Sequence, residues 1–112
     1  MTTKDMRSHV IAALNDRART TFTGCRLFLT RGIQTLPELI QAQIIGKVQS
    51  FDAFTPDNDP WGEHDFGAFD HGGERIYWKI DYYDAQMEHG SPDPANPEVT
   101  TRVLTILLAE EY

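Results

Sequence analysis

The part of the sequence with the most groups able to do chemistry is TPDNDPWGEHDFG, residues 55–67. It places one histidine, His64, among four carboxylates, with two prolines, two glycines and a tryptophan; the carboxylates are Asp57, Asp59, Glu63 and Asp65. Such a combination is typical of a cation site, a surface that attracts a basic partner, an acid–base centre or a solvated turn.

A calcium loop would need oxygen ligands at fixed positions around a sharp turn. Aligned with the EF-hand pattern D-x-[DN]-x-[DN]-G-x₅-E, residues Asp57, Asp59 and Gly62 match, but the fifth position is Trp61 and the twelfth is Ala68. The missing bidentate carboxylate at the twelfth position argues against an EF-hand.

A transition-metal site could use the imidazoles of His64 and His71 with the carboxylate of Asp65. An odd spacing within one strand places the two histidines on opposite faces of a sheet, which argues against a shared ion. We therefore predict no metal and no cofactor.

A catalytic centre is the alternative hypothesis, and the strand-like segment YWKIDYYD contributes to it. Lys79, Asp81, Tyr83 and Asp84 could supply an acid and a base together with His64. The corresponding alternative function is a small metal-binding or hydrolytic enzyme, centred on Glu63, His64, Asp65 and Asp81. The sequence contains no P-loop, no G-x-G-x-x-G and no G-x-S-x-G motif. Solvent exposure of these strand residues is thus the favoured interpretation, and no catalytic residue is assigned.

A purely structural role for residues 55–67 needs no ligand. Asp57 and Asn58 favour Asx turns, Pro60 fixes a bend, and Trp61 would pack over the loop as a lid. Turn formation accounts for most of the residue types, so this interpretation is preferred for the loop.

The charges are divided unevenly along the chain, whose net charge is −7. Residues 1–48 carry seven basic and three acidic side chains, a net charge of +4, and residues 49–112 carry three basic and 14 acidic side chains, a net charge of −11. The acidic part would repel nucleic acid and attract basic surfaces. Direct binding of nucleic acid is therefore not expected, unless the basic first third acts alone.

Length and composition predict one folded domain over residues 1–112, because 112 residues suffice for a single core. The N-terminal residues contain no continuous apolar run, so neither a secretory signal nor a membrane span is predicted, and a cytoplasmic location is expected. Cys25 is the single cysteine. Its apolar surroundings, CRLFLT, favour a buried structural thiol over a nucleophile.

Two amphipathic helices are predicted from apolar residues at helical spacing. The first covers residues 4–18, with a buried stripe formed by Met6, Val10, Ala13, Leu14 and Ala18. The second covers residues 36–47, where Thr35 and Glu38 have the spacing of a capping box and Pro37 lies in the first turn.

The rest of the chain has the period-two pattern of β-strands. Strands are predicted over 25–30, 48–54, 64–70, 74–84 and 100–109, with a glycine hairpin at 71–73 and a proline-rich loop over 87–98. The last strand is nearly all apolar and is expected to be buried on both sides. The predicted fold class is α+β, with two amphipathic helices packed on one face of a mainly antiparallel sheet of about four to five strands.

Several blocks of the sequence resemble a family of small bacterial proteins known only as a domain of unknown function. They are TRGIQTLPELIQ, NDPWGEHDFGAF, ERIYWKIDYYD and GSPDPANPEVTTRVLTILLAEEY, which together span about residues 30–112. Members of this family often lie on plasmids and other mobile DNA. The resemblance therefore implies a lineage and a genetic setting, and it carries over no catalytic residue.

The functional hypothesis that follows is a non-catalytic acidic interaction or inhibitor protein. Mobile elements often encode acidic proteins that block host defence proteins by imitating nucleic acid. The expected partner is a basic, nucleic-acid-binding protein, with no direct binding of nucleic acid or membrane. The carboxylates predicted to form the binding surface are Asp52, Asp57, Asp59, Glu63, Asp65, Asp70 and Glu74.

Overall fold

The computed structural model describes residues 3–112, with side chains from Met6 onward. Helices α1 (Thr3–Thr21), α2 (Arg31–Gln34) and α3 (Glu38–Ser50) belong to the first half of the chain, together with strand β1 (Arg26–Leu29). Strands β2 (Phe66–His71), β3 (Glu74–Tyr83) and β4 (Thr101–Leu108) follow. Two short 3₁₀ turns, Pro97–Val99 and Ala109–Glu111, flank β4.

The four strands form one sheet in the order β1-β4-β3-β2. β2, β3 and β4 pair antiparallel, whereas β1 pairs parallel with β4. β2, β3 and β4 thus form an antiparallel meander, and Gly72 (φ +57°) and Gly73 (φ +84°) form the predicted hairpin turn in the left-handed conformation that favours glycine. The parallel strand makes the sheet mixed.

The core lies between one face of this sheet and the three helices. Trp78 at the centre of β3 is opposite Ile106 of β4 and Gly67 of β2, and the side chain of Trp78 is fully buried. The other fully buried members of the core are Ile33, Ile44, Val48, Ile76, Leu104 and Ile106. The predicted α+β class, with helices against a mainly antiparallel sheet, is confirmed.

The buried face of α1 differs from the predicted stripe. Met6 is 58% exposed and Val10 is 47% exposed, and Ala13 is exposed as well. The residues that turn inward are Ile11, Ala12, Asn15, Ala18 and Arg19. The predicted stripe is correct at Ala18 and wrong at Met6, Val10 and Ala13. It was chosen from apolar residues alone, whereas α1 buries two polar side chains that bond to other elements.

The predicted strand over 48–54 is wrong. The helix continues through Val48 to Ser50, and residues 51–54 form no strand. Phe51 and Phe54 pack edge-on against the ring of Trp78, with ring centroids 5.5 Å and 6.1 Å away. Their alternation with polar residues imitated a strand, although it arises from a connecting segment that covers the tryptophan.

The predicted capping box at the start of the second long helix is also wrong. Pro37 occupies the N-cap position of α3 without a side-chain hydrogen bond, and the Thr35 hydroxyl donates to the Gly32 carbonyl at 2.8 Å. Thr35 is instead the C-cap of the short helix α2, which the sequence pattern did not predict. A four-residue helix is too short to produce a hydrophobic period.

The proline-rich segment over 87–98 is irregular, as predicted, apart from the 3₁₀ turn that begins at Pro97. β4 has buried side chains on both faces, including Leu104 and Leu107, which confirms the expectation for that strand. Within residues 3–112, no helix has the length and apolar character needed to cross a membrane.

Candidate functional site

The loop between α3 and β2 is organised by Asn58 and Asp59. The Asn58 side chain accepts from the Thr55 backbone N–H at 2.8 Å and donates to the Ala53 carbonyl at 2.8 Å. The Asp59 carboxylate accepts from the backbone N–H groups of Glu63 at 3.1 Å and His64 at 3.2 Å. The loop is therefore held by side-chain-to-backbone hydrogen bonds, as predicted. Asp59 accepts the bonds that were expected at Asp57.

His64 is fixed from three sides. Its Nδ1 lies 2.9 Å from Oδ1 of Asp16, its ring stacks on Phe54 with centroids 3.9 Å apart, and its backbone adopts φ 55°. Its Nε2 lies 3.7 Å from Oδ2 of Asp59. An imidazole oriented by a carboxylate through one ring nitrogen is the arrangement of a positioned general base, and here the second nitrogen faces the Asp59 carboxylate from beyond hydrogen-bond distance.

Asp16, which sequence reasoning missed, is held by the buried Arg19. One guanidinium nitrogen of Arg19 lies 3.2 Å from Oδ1 of Asp16, and another donates to the Val48 carbonyl at 2.9 Å. The guanidinium also lies 5.1 Å from the ring centre of Trp78. Arg19 thus connects α1, the end of α3 and the sheet, and it fixes the carboxylate that orients His64.

The His64 side chain borders a groove of about 1060 Å³ between α1 and the loop. Asp16 and Asp59 line the same groove, together with Ser8, His9 and Trp61. No hydroxyl or thiol among residues 6–112 is hydrogen-bonded to His64. The groove can therefore offer an acid–base group to a bound molecule or a water, but it holds no activated side-chain nucleophile.

Glu63 belongs to a second, interior network beneath the loop. Its carboxylate accepts from the Tyr82 hydroxyl at 2.9 Å, and Asn15 donates to that hydroxyl oxygen at 2.8 Å. Asn15 in turn accepts from Nε of Arg102 at 2.8 Å. Burial raises the pKa of Tyr82, so the phenol remains a neutral donor to Glu63. This network joins α1 to the sheet, and its role is therefore structural.

The two remaining carboxylates of the alternative site, Asp65 and Asp81, have different environments. Burial raises the pKa of Asp65, and the nearby charges of Glu63, Asp59 and Asp81 add to the effect. Asp81 lies on the opposite side of β3 from the core and accepts from Lys79 at 2.7 Å, a bond that raises the pKa of Lys79.

For the metal-binding form of the alternative site, the described residues provide no set of ligands. No group of three or more His, Cys, Asp or Glu side chains in residues 6–112 could hold a metal ion. His71, the other proposed ligand, bonds instead to the side chain of Gln43 at 3.0 Å.

The seven carboxylates of the predicted acidic surface have different environments. Asp52 and Asp57 are exposed, and Asp70 is 75% exposed while paired with Arg75 at 3.2 Å. Glu63, Asp65 and Glu74 are half-buried. The Asp59 carboxylate is only 6% exposed, because it is directed at the loop backbone.

Cys25 is half-buried and its thiol donates to the Ala18 carbonyl at 3.6 Å. Burial raises the pKa of this thiol, which disfavours the reactive thiolate. Both observations agree with the structural role expected from the sequence.

The comparison with known proteins covers most of the chain. A family described as "Protein of unknown function (DUF3768)" matches residues 29–111, from the end of β1 through the 3₁₀ turn after β4. No curated protein and no solved structure matches the chain. The match includes the whole loop that carries His64 and Asp59 and omits Asp16, their partner on α1. With more than half of its residues matched, the chain belongs to the DUF3768 family of proteins of unknown function.

Proposed function

We propose that this protein is a non-catalytic interaction protein whose acidic surface binds a basic, nucleic-acid-binding protein. The observation that carries the proposal is the net charge of −11 on residues 49–112. Concentrated negative charge attracts basic surfaces over a distance of about one Debye length, ~8 Å at physiological ionic strength. A mobile-element-encoded inhibitor of a bacterial host defence protein, acting in the cytoplasm by imitating the phosphate backbone, would use such a surface.

Three carboxylates support this proposal most directly, because they remain available for an outside partner. Asp52 and Asp57 are exposed and make no side-chain hydrogen bond or ion pair within residues 6–112. Among residues 6–112 the Asp70 carboxylate pairs with Arg75 alone, whose own side chain is 52% exposed, and such surface pairs are worth little. These three carboxylates can exchange their present surroundings for a basic partner at small cost.

The proposal is tested by capturing partners from a bacterial lysate on the immobilised protein. A captured protein should be identified as a nucleic-acid-binding protein, should be released between about 0.05 M and about 0.5 M salt, and should be displaced by duplex DNA. A partner that is retained at high salt, or that DNA does not displace, would contradict nucleic-acid mimicry.

Two triple variants test whether these three carboxylates form the binding surface. Replacing Asp52, Asp57 and Asp70 by asparagine should weaken capture by about tenfold or more, since mutation of steering charges reduces the association rate. Replacing Glu88, Glu98 and Glu110 by glutamine removes the same charge from exposed positions outside this region and should have a smaller effect. Equal losses in both variants would show that only net charge matters.

A second candidate function, a small hydrolytic enzyme, is favoured by one specific observation. Asp16 orients the imidazole of His64 at the edge of a groove large enough for a small molecule. In this role His64 would take a proton from an attacking water, and Asp16 would stabilise the imidazolium that forms. Of the four residues of the alternative site, this candidate function uses only His64. Its partner Asp16 was not predicted from the sequence.

Hydrolysis of p-nitrophenyl esters and phosphate esters tests this candidate, because these activated substrates react with many hydrolases. If His64 is a base, His64→Ala should abolish turnover and Asp16→Asn should reduce it by about 100-fold or more. His9→Ala, which changes a histidine of the same groove, should leave turnover intact. Activity that survives His64→Ala, or absence of activity in the unaltered protein, would reject hydrolysis of these esters by His64.

A further inference from the structure

A second cavity of about 600 Å³ lies on the other side of α1 from the groove, and three arginines line it. We call it the arginine pocket; Arg17 of α1, Arg26 of β1 and Arg102 of β4 contribute to its wall, with the hydroxyl-bearing Thr23 and Thr100. Three guanidinium groups around one cavity create a local positive potential within a chain whose net charge is −7.

Arg102 is the unusual member of this set, because its charge is buried without a carboxylate partner. The residue is 3% exposed; its Nε donates to Asn15 Oδ1 at 2.8 Å and a terminal nitrogen donates to the Pro94 carbonyl. Its guanidinium also lies 5.3 Å from the ring centre of Tyr82. These acceptors are all neutral, and no carboxylate of residues 6–112 lies within salt-bridge distance of Arg102.

A buried cation without an anion is costly, since burial favours the neutral form. Burial lowers the pKa of Arg102, while the more distant Glu63 acts in the opposite direction. The Glu63 carboxylate is occupied by the Tyr82 hydroxyl. An anion in the arginine pocket would supply the charge that the protein itself does not place beside Arg102.

The distribution of ion pairs distinguishes this pocket from the rest of the molecule. Arg7, Arg19 and Arg75 each pair with an aspartate. Neither Arg17 nor Arg26 has such a pair with residues 6–112, although the chain has 17 acidic residues. Of the four arginines without such a pair in residues 6–112, Arg17, Arg26 and Arg102 line this one cavity and Arg31 lies outside it, so a single ligand could contact several unpaired arginines.

We propose that the arginine pocket binds the phosphate group of a small phosphorylated molecule of about mononucleotide size. Guanidinium groups bind phosphate through paired, charge-assisted hydrogen bonds, and several of them together match a dianion better than a singly charged carboxylate. The cavity volume lies within the range of small-molecule sites, and Leu14, Cys25 and Pro97 offer apolar surface to the rest of the ligand. This site is independent of the acidic surface and of His64.

Thermal unfolding of the intact protein tests the proposal, with inorganic phosphate, adenosine monophosphate and acetate as probes at constant ionic strength. We expect a saturable rise in Tm with phosphate, tighter saturation with adenosine monophosphate, and no saturable rise with acetate. Absence of a saturable rise with phosphate, or an equal rise with acetate, would overturn the phosphate site. Equal affinities for phosphate and adenosine monophosphate would overturn the assigned ligand size.

Substitutions of Arg17 and Arg26, whose side chains donate no hydrogen bond to residues 6–112, locate the binding. Arg17→Gln and Arg26→Gln should each weaken binding of adenosine monophosphate by about tenfold, as the loss of a charge-assisted bond requires. Arg31→Gln is the matched control, because Arg31 is exposed and has no ion pair with residues 6–112 but lies outside the pocket. An equal loss in Arg31→Gln would show non-specific charge attraction and would overturn the site.

Discussion

His64 combines an unusual backbone conformation with three separate restraints. Few residues other than glycine adopt a positive φ, and His64 does so at φ 55°. The Asp59 carboxylate accepts from the His64 backbone N–H and so offsets the cost of this conformation, while Asp16 and Phe54 hold the His64 ring. A histidine restrained at backbone and ring alike keeps Nε2 in one place, which suits a structural role and a proton-transfer role equally.

Substitution of this histidine separates the two roles. His64→Ala should lower the free energy of unfolding by about 1 kcal/mol through the lost Asp16 bond and the lost stack on Phe54. His9→Ala, an exposed change on the same groove, should alter it by less than about 0.5 kcal/mol. Urea unfolding of both variants provides the measurement, and partner capture by the folded His64→Ala protein should be unchanged if the role is structural.

The contribution of Asp65 to stability should change with pH in the opposite direction from that of most carboxylates. Its folded-state pKa is raised above the ordinary value of 3.8, mainly by burial and then by the charge of Glu63. The folded protein therefore holds this proton more tightly than the unfolded chain, so stability from this group is complete below about pH 4 and is lost as the pH rises through the folded pKa.

Asp65→Asn should therefore raise the Tm at pH 7, and the gain should shrink as the pH falls toward 4. Calorimetry of the variant and the unaltered protein across this range measures the effect. Asp57→Asn is the control, since Asp57 is exposed on the surface. A Tm increase of equal size at pH 7 and pH 4 would exclude ionisation of Asp65 as its cause.

Among the elements, the strands of the meander were predictable because each has one apolar face or two. β3 alternates Ile76, Trp78 and Ile80 with polar residues, and all three are buried as that period requires. α1 was predicted as a helix, but its inward face was only partly correct, because Asn15 and Arg19 are buried through hydrogen bonds that an apolar pattern does not reveal.

The candidate site was predictable only where it is local. Asp59 and His64 lie in one loop, and their residue types indicated a turn stabilised by side-chain bonds. Asp16 is 48 residues away from His64 and entered the site through the packing of α1 against the loop. The arginine pocket was not predicted for the same reason, since its three arginines belong to three different elements.

Two glycines in neighbouring helices should respond oppositely to the same change. A Cβ on Gly32 of α2 would lie 2.5 Å from Oε1 of Glu111 and 2.7 Å from a methyl group of Leu108, whereas a Cβ on Gly46 of α3 would meet nothing within 4 Å. Glu111 is tied in place, because it accepts from Thr30, Gly32 and Leu108.

Gly32→Ala should consequently lower the free energy of unfolding by about 1–3 kcal/mol, as overpacking does. Gly46→Ala should raise it by about 0.5–1 kcal/mol, because alanine loses less entropy in a helix. Urea unfolding of the two variants provides the comparison. Stabilisation by Gly32→Ala would mean that Glu111 moves aside without loss of its three bonds.

For the molecule as a whole, α1 packs against the rest of the fold although it precedes the residues matched by the family. The family match begins at residue 29, whereas Ile11, Ala18 and Arg19 of α1 are almost completely buried against the rest of the fold. Without α1, the guanidinium of Arg102 would lose its Asn15 acceptor and Val48 would lose the Arg19 donor to its carbonyl.

A chain that begins at residue 25 should therefore lack a cooperative thermal transition. The loss follows from exposing the core at Trp78 and leaving the polar groups beneath α1 without partners. Near-ultraviolet circular dichroism measures it through the two tryptophans, and addition of a peptide of residues 1–24 is the control. A sharp transition in the shortened chain alone would show that α1 is dispensable.

The position of β4 between β1 and β3 has a consequence for synthesis on the ribosome. β1 pairs only with β4 in the sheet, so Leu27 and Phe28 have no strand partner until Thr101–Leu108 have been translated. At about 5–20 residues per second, that wait lasts on the order of 4–15 seconds. During this interval the backbone N–H and C=O groups of β1 have no ladder partner on the nascent chain, which leaves β1 open to transient strand pairing with a chaperone.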